Sequence, residues 1–177
     1  AQVGMPIIQF GNAWARNEED HMHKGLAFRD SIKNSSLVTT AFAPHSPYTV
    51  SDSGFNKIQL YSEQLDLPVP LHLHETATEV TDSLRDIGVR PIERMNKLEI
   101  LSPSLQAVHM TQLRDDEIEL LSVKGVQVAH CPESNMKLAS GFCPVEKLRA
   151  SNINVAIGTD GAASNNDLDM IQEVRSA

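Results

Sequence analysis

Two short segments carry side chains that could bind a metal ion or transfer protons. They are His72-Leu73-His74-Glu75-Thr76 and Gly158-Thr159-Asp160-Gly161. Each follows a run of residues that favour β-strands, so its polar side chains lie where a strand ends. Imidazole and carboxylate groups are common ligands of catalytic zinc, and a carboxylate beside a metal can shuttle protons. The two segments therefore favour a metal-dependent enzyme.

The spacing of His72 and Glu75 indicates how the first segment could work. A metal ligand at the end of a strand and a carboxylate three residues later can reach the same small volume. His74 shares a strand face with His72 by the two-residue period, but we expect it to be a buried structural histidine. Asp160 is followed by glycine, which is typical of a turn. The alternative for Asp160 is a carboxylate ligand that also takes a proton from water.

Three further histidines lie near predicted strand ends. His109 and His130 end the next two strands, and His45 follows an earlier strand in a segment with a proline on each side. Histidines that end successive strands are a stronger signal than one alone, because parallel barrel strands bring their carboxyl ends to one pocket. A buried, hydrogen-bonded histidine is an equally good interpretation of His130. A turn residue is the alternative for His45.

The pair His21-x-His23 has a spacing that could bind metal from a strand. Its neighbours are charged and predict a helix, where residues two apart point about 200° away from each other. We therefore expect a solvated helix face at these positions and no metal site.

The elements that must position these residues alternate along the chain. Strand-length apolar runs lie at 6–10, 37–43, 69–73, 106–110, 126–131 and 154–159. Helical patterns lie between and after them, at 18–33, 54–65, 76–87, 91–101, 115–123, 144–150 and 167–174. Such alternation predicts an α/β fold with a parallel sheet. No Gly-x-Gly-x-x-Gly motif follows a strand, which argues against a dinucleotide-binding sheet.

Composition limits the class of protein. The chain has 177 residues, of which 41% are hydrophobic, and a net charge of −8 without a basic cluster, so a nucleic-acid partner is not expected. It has no apolar run of about 18 residues, and no membrane span is predicted. The two cysteines, Cys131 and Cys143, are too few for a disulfide framework and favour a reduced, cytoplasmic setting. The composition is compatible with a homo-oligomer.

Five segments together resemble the amidohydrolase superfamily, most closely its branch of 5′-methylthioadenosine/S-adenosylhomocysteine deaminases within the chlorohydrolase-like group. In chain order they are APHSPY (43–48), LHLHET (71–76), VH (108–109), AHCPESNMKLASG (129–141) and GTDGAASNN (158–166). The resemblance covers nearly the whole chain, and the segments are specific as a set.

The resemblance implies a (β/α)8 TIM-type barrel of the metal-dependent hydrolase kind. Residues 1–177 would form about six of its βα units, strands three to eight, without the small β-sandwich domain of the family. The chain begins close to a strand pattern and ends within a helical one, so we expect a segment of a longer protein. The family holds one divalent metal, usually zinc, although iron and other metals suit the same ligands. By resemblance, His72 is the strand-five ligand and Asp160 the strand-eight ligand.

The reaction implied by the resemblance is hydrolytic deamination of the adenine ring in an adenosine-type nucleoside. The metal lowers the pKa of water, and hydroxide attacks C6. Asp160 takes the proton of the water, and Glu75 binds and protonates the ring nitrogen before ammonia leaves. His109 orients the hydroxide, and His45 contacts the substrate. Arg16 loosely matches a position at which some members hold a distal carboxylate of the substrate.

One departure from the family pattern changes the expectation for this polypeptide. The strand-one His-x-His, which supplies two of four ligands, is absent. Catalytic zinc sites use three protein ligands plus water, so we expect the chain alone neither to hold metal tightly nor to turn over substrate. The alternatives are another amidohydrolase activity, namely guanine or aminopurine deamination or s-triazine hydrolysis, and an inactive barrel with a binding role.

Overall fold

A computed structural model describes all 177 residues as six strands and eight helices. The strands are β1 (Gln2–Ile7), β2 (Thr39–Pro44), β3 (Val69–Leu73), β4 (Leu105–His109), β5 (Gln127–His130) and β6 (Val155–Ile157). The helices are α1 (Glu18–Ile32), α2 (Asp52–Leu65), α3 (Ala77–Asp86), α4 (Pro91–Lys97), α5 (Asp115–Lys124), α6 (Pro132–Lys137), α7 (Val145–Ala150) and α8 (Met170–Ser176). No helix combines the length and apolar character that crossing a membrane requires.

All strand pairs are parallel, and spatial order follows chain order. β1 pairs with β2, and β3, β4, β5 and β6 form a second sheet in that order. The two sheets meet where the Phe42 N–H donates to the Pro68 carbonyl at 3.0 Å. The six strands therefore form one arc whose carboxyl ends lie along one edge. The predicted α/β fold with parallel strands is confirmed.

The core lies between the strands and the helix layer. In β3 and β4 alternate residues are fully buried, which follows from the two-residue period of a strand. Helices α1, α2, α4, α5 and α7 add apolar side chains to the same cluster. The largest fully buried members include Phe42, Phe55, Ile58, Leu71, Leu73, Met95, Leu105, Leu121 and Leu148. This packed layer makes the strands a rigid support for the side chains at their carboxyl ends.

Several element predictions differ from the structure; the predicted helix 91–101, for example, ends at Lys97. The first strand is Gln2–Ile7 rather than 6–10, because it pairs in register with β2 from Gln2↔Thr39 to Ile7↔Pro44. The short helix α6 was not predicted, although Pro132 in its first turn suits a helix start. β6 has only three residues, so 158–160 lie beyond the sheet.

The predicted solvated face at His21 is wrong. His21 is fully buried in α1, its ring lies 5.4 Å from that of Trp14, and its Nδ1 donates to the Pro6 carbonyl at 3.0 Å. The helix face that carries His21 packs on β1, where Gly25 lets the Met5 side chain approach closely. His23 is exposed. The two rings therefore have different environments, as helix geometry requires, and do not form a pair.

Candidate active site

The carboxyl ends of β3, β4 and β6 bring His72, His109 and Asp160 together. One nitrogen of each imidazole and one carboxylate oxygen all lie within 4.8 Å of one another. His72 Nε2 is 3.8 Å from Asp160 Oδ1, and His109 Nε2 is 3.9 Å from Asp160 Oδ2. The imidazole rings are stacked, with centroids 5.4 Å apart. We refer to these three residues as the His–Asp cluster.

Hydrogen bonds determine which nitrogen of each ring faces the cluster. His72 Nδ1 lies 2.6 Å from the His45 carbonyl oxygen, and His109 Nδ1 lies 2.8 Å from Asn135 Oδ1. Because both oxygens can only accept, each Nδ1 carries the proton and each Nε2 keeps a free lone pair. Two bare imidazole nitrogens and a carboxylate are a donor set that suits zinc. The cluster therefore fits a divalent metal. One of its three donors, His109, is a residue that the family resemblance predicts to orient the attacking hydroxide and not to bind the metal.

Asp160 is held as a charged carboxylate. Its Oδ2 accepts hydrogen bonds from the hydroxyls of Ser134 and Ser164, each at 2.6 Å. Burial acts to raise the pKa of Asp160, but the neighbouring His72 and the hydrogen bonds from Ser134 and Ser164 outweigh it and lower the pKa well below the usual range. An anionic oxygen therefore faces the histidines at neutral pH.

The histidines of the cluster differ in electrostatics. Burial lowers the pKa of His109, which favours the neutral form that binds metals. Burial also acts to lower the pKa of His72, but the nearby Asp160 carboxylate and the hydrogen bond to the His45 carbonyl outweigh it and raise the pKa. A metal at this position would replace the proton that Asp160 otherwise favours on His72.

Glu75 lies on the far side of His109 from Asn135. Its Oε2 is 3.9 Å from His109 Nε2, and the side chain is partly exposed. The geometry thus adds a second carboxylate to the edge of the His–Asp cluster, at a position open to a bound molecule.

Left-handed backbone recurs where the site-bearing strands end. His74, His109 and Asp160 have φ of 51°, 76° and 59°. This region is unfavourable for residues other than glycine and is concentrated at functional sites. His74 consequently leaves the face of β3: its ring is fully buried and its Nε2 accepts from the Ile92 N–H at 3.1 Å. The predicted shared face of His72 and His74 is therefore wrong, whereas the predicted burial of His74 holds.

His45 lies at the rim of the cluster. Its ring centroid is 5.2 Å from that of His72, and the Tyr48 ring packs edge-on against it at 6.3 Å. Tyr48 also lines a cavity of about 370 Å³ with Thr76 and Glu79, between the β2–α2 loop and helices α3 and α4. Neither His45 nor a residue of the His–Asp cluster lines this cavity.

Two residues considered from the sequence do not join the cluster. His130 is buried at the end of β5, and its Nδ1 has no hydrogen-bond partner. Arg16 pairs with Asp20 at 3.2 Å, and its side chain is 86% exposed. The structure gives neither of them a position in the His–Asp cluster.

Sequence reasoning missed the residues that hold the cluster from outside. Ser134 and Asn135 lie in α6, and Ser164 follows the Asp160 turn; all three are buried. The segments 129–141 and 158–166 that resemble the family contain these residues, but the sequence patterns predict no role for them. Their signal is weak, because a serine or asparagine after a strand is equally typical of a turn.

Comparisons with known proteins identify the family to which this chain belongs. The sequence profile of the Amidohydrolase family matches residues 4–177, and the chain belongs to this family. A 5-methylthioadenosine/S-adenosylhomocysteine deaminase of Saccharophagus degradans is 48% identical over all of this chain, which spans 40% of that relative. A 5′-deoxyadenosine deaminase of Methanopyrus kandleri is 38% identical over all of this chain, which spans 41% of that relative.

Solved structures agree with the fold. An adenosine deaminase of Xanthomonas campestris with bound zinc is 50% identical and superposes with a TM-score of 0.95, over 98% of this chain and 39% of that one. A zinc complex of an atrazine chlorohydrolase of Arthrobacter aurescens has a TM-score of 0.89 at 18% identity, over 98% of this chain and 41% of that one. The second likeness shows the fold alone. The predicted partial TIM-type barrel is confirmed.

Proposed function

We propose that this chain is part of a metal-dependent hydrolase that deaminates the adenine ring of adenosine derivatives of the 5′-methylthioadenosine and S-adenosylhomocysteine kind, with release of ammonia. The observation that carries the proposal is the His–Asp cluster with Glu75 beside it. The relatives at 48% and 38% identity, named as deaminases of such compounds, support this choice of substrate.

The metal is proposed to be zinc, with iron as an alternative for the same donors. His72, through Nε2, and Asp160 would hold it. When bound, a zinc ion lowers the pKa of water so that hydroxide is available near neutral pH. The zinc in the Xanthomonas campestris structure supports this choice.

Each residue of the site has a proposed task. His109 Nε2 accepts a hydrogen bond from the attacking water and orients it towards C6 of the purine. Asp160 accepts the proton of the water through its carboxylate, which lies 3.8 Å from His72 Nε2. Glu75 carries a proton to the ring nitrogen, and its position 3.9 Å from His109 Nε2 supports this role. His45, at the rim, contacts the remainder of the nucleoside.

Residues 1–177 are proposed to supply strands three to eight of the barrel. The chain spans about 40% of the length of the curated relatives, and β1 and β6 each have one edge without a partner strand. We propose that activity belongs to a chain of the relatives' full length that contains these residues, called the complete protein below. The segment by itself is expected to bind metal weakly and to be inactive.

The test is an assay of the purified complete protein for ammonia release. Methylthioadenosine, S-adenosylhomocysteine, guanine and a chlorotriazine are offered separately. An inosine-type product from either adenosine derivative is expected. Ammonia from guanine alone, or chloride from the triazine alone, would replace the proposal by another amidohydrolase activity.

A barrel without catalysis is the second candidate. It would apply if the complete protein lacked the other two expected ligands outside residues 1–177. Metal analysis of the complete protein distinguishes the enzyme from the inactive barrel. Less than about a tenth of an equivalent of metal per chain after gentle purification points to a binding role, because catalytic zinc is bound tightly.

Two properties of the complete protein remain proposals. Cys131 and Cys143 are buried free thiols, which agrees with a cytoplasmic location. The complete protein is also proposed to form a homo-oligomer, and light scattering would measure its mass in solution. Neither nucleic acid nor membrane is proposed as a partner.

A further inference from the structure

Both polar groups of the Glu75 backbone are held by side chains from other parts of the chain. The Glu75 N–H donates to Glu79 Oε2 at 2.7 Å. The Glu75 carbonyl accepts from the Thr111 hydroxyl at 2.7 Å. Glu79 is on α3 and Thr111 follows β4 by two residues, so the two bonds fasten Glu75 to two different elements.

The segment needs such fastening because the preceding residue is strained. His74 has a φ of 51°, in a region that residues other than glycine rarely adopt. Its N–H donates to Glu79 Oε1 at 3.0 Å, so the two oxygens of one carboxylate hold two successive N–H groups. The turn at His74 takes the chain out of the direction of β3. As a result the Glu75 side chain lies near His109 instead of continuing along the strand.

Glu79 and Thr111 are themselves well placed for this task. The Glu79 N–H donates to the Thr76 hydroxyl at 3.1 Å, and the residue is 9% exposed. The Thr111 hydroxyl is also 3.1 Å from the Ser140 carbonyl, and it lies two residues past His109. Thr111 thus connects the position of Glu75 to the strand that carries His109.

We propose that Glu79 and Thr111 are positioning residues, which hold the Glu75 carboxylate at its position 3.9 Å from His109 Nε2. The proposal rests on the proposed function, because the carboxylate is taken to transfer the proton. Neither residue touches the reacting atoms. Displacement of a catalytic group by about 1 Å can lower the rate about a hundredfold, so the loss of one of these hydrogen bonds should reduce turnover even when the fold is intact.

The first experiment compares variants of the complete protein at Thr111. Thr111→Val keeps the shape and removes the hydroxyl, Thr111→Ser keeps the hydroxyl, and Thr81→Val is the matched control. The Thr81 hydroxyl also donates to a carbonyl, that of Ala77 at 2.9 Å, but at an exposed position of α3. Thr111→Val is expected to lower kcat about tenfold or more, with KM and bound metal within about twofold of the wild type. Thr111→Ser is expected to restore most of kcat, and Thr81→Val to leave it unchanged.

The second experiment tests Glu79 and separates the two proposals. Glu79→Gln presents an NH2 group to one of the two N–H groups, so one bond is lost, and kcat should fall with metal retained. Crystal structures of Thr111→Val and Glu79→Gln should show the Glu75 carboxylate displaced from His109. Wild-type kcat in both variants, or an unmoved carboxylate, overturns the positioning role. If the wild-type protein deaminates nothing, the proposed function fails, and the crystal structures still decide whether the two side chains position Glu75.

Discussion

The amide oxygen of Asn135 accepts a hydrogen bond from His109 Nδ1–H at 2.8 Å, and both side chains are buried. The bond joins the end of β4 to the short helix α6, which is 26 residues later in the chain. It keeps Nε2 unprotonated and aimed at Asp160. Such outer partners of an active-site histidine set its tautomer and ring orientation.

Removal of this acceptor should impair the site without unfolding the protein. Asn135→Leu is expected to lower turnover of the complete protein about tenfold to a hundredfold, the usual range for loss of such a partner. Asn135→Asp keeps an acceptor and should lose less. Steady-state kinetics and thermal unfolding check both variants. Equal activities for the two variants would show that the hydrogen bond does not orient His109.

Metal content should distinguish the roles of the two clustered histidines. His72→Gln is expected to lose most of the bound metal and all activity, because Nε2 of His72 is a proposed ligand. His109→Gln is expected to keep most of the metal and to lose turnover, because its task is to orient water. His23→Gln, at the exposed position of α1, is the control. The measurement is metal analysis by mass spectrometry beside the ammonia assay, and metal loss in His109→Gln would make His109 a ligand.

Stability should depend on pH through His74 and Glu79, with opposite signs. Burial lowers the pKa of His74 to about 4, so the folded protein binds fewer protons than the unfolded chain below about pH 6.5. His74 therefore adds stability as the pH rises from about 4 to 6.5, on the order of 3 kcal/mol. Burial raises the pKa of Glu79 to about 7, so the folded protein binds more protons than the unfolded chain between about pH 4.5 and 7. Glu79 therefore lowers the free energy of unfolding by a similar amount as the pH rises through this range.

The two effects should largely cancel in the wild type, and Glu79→Gln should reveal the contribution of His74. Chemical denaturation of the complete protein between pH 4.5 and 6.5 is expected to give a free energy of unfolding that rises more steeply with pH in this variant. Identical pH dependence of wild type and variant would contradict the prediction for Glu79.

Gly141 should tolerate substitution worse than Gly88, although both have positive φ. Gly141 has a φ of 124°, and an added Cβ would lie 2.7 Å from Gln112 Nε2 and 3.1 Å from the Thr111 hydroxyl. At Gly88, with a φ of 81°, an added Cβ meets nothing within 4 Å. Gly88→Ala is expected to lower the free energy of unfolding by about 1 kcal/mol, and Gly141→Ala by about 2–4 kcal/mol. Denaturant titration measures both, and activity should fall only in Gly141→Ala.

The order of the elements and the strand ends that carry the chemistry follow from local sequence patterns. Alternating apolar runs and helical patterns are local, so they predicted the parallel α/β fold and placed His72, His109 and Asp160 at carboxyl ends of strands. Parallel strands bring those ends to one edge, so the proximity of the three residues followed from the fold class.

Which atoms face one another in the site depends on contacts between separate elements. The tautomers of His72 and His109 depend on the His45 carbonyl and on Asn135, which lie 27 and 26 residues away. The burial of His21 depends on packing against β1, and the turn at His74 depends on contacts from α3 and the β4 loop. Local periodicity cannot encode these features, because each arises from hydrogen bonds or packing between elements that are distant in the chain.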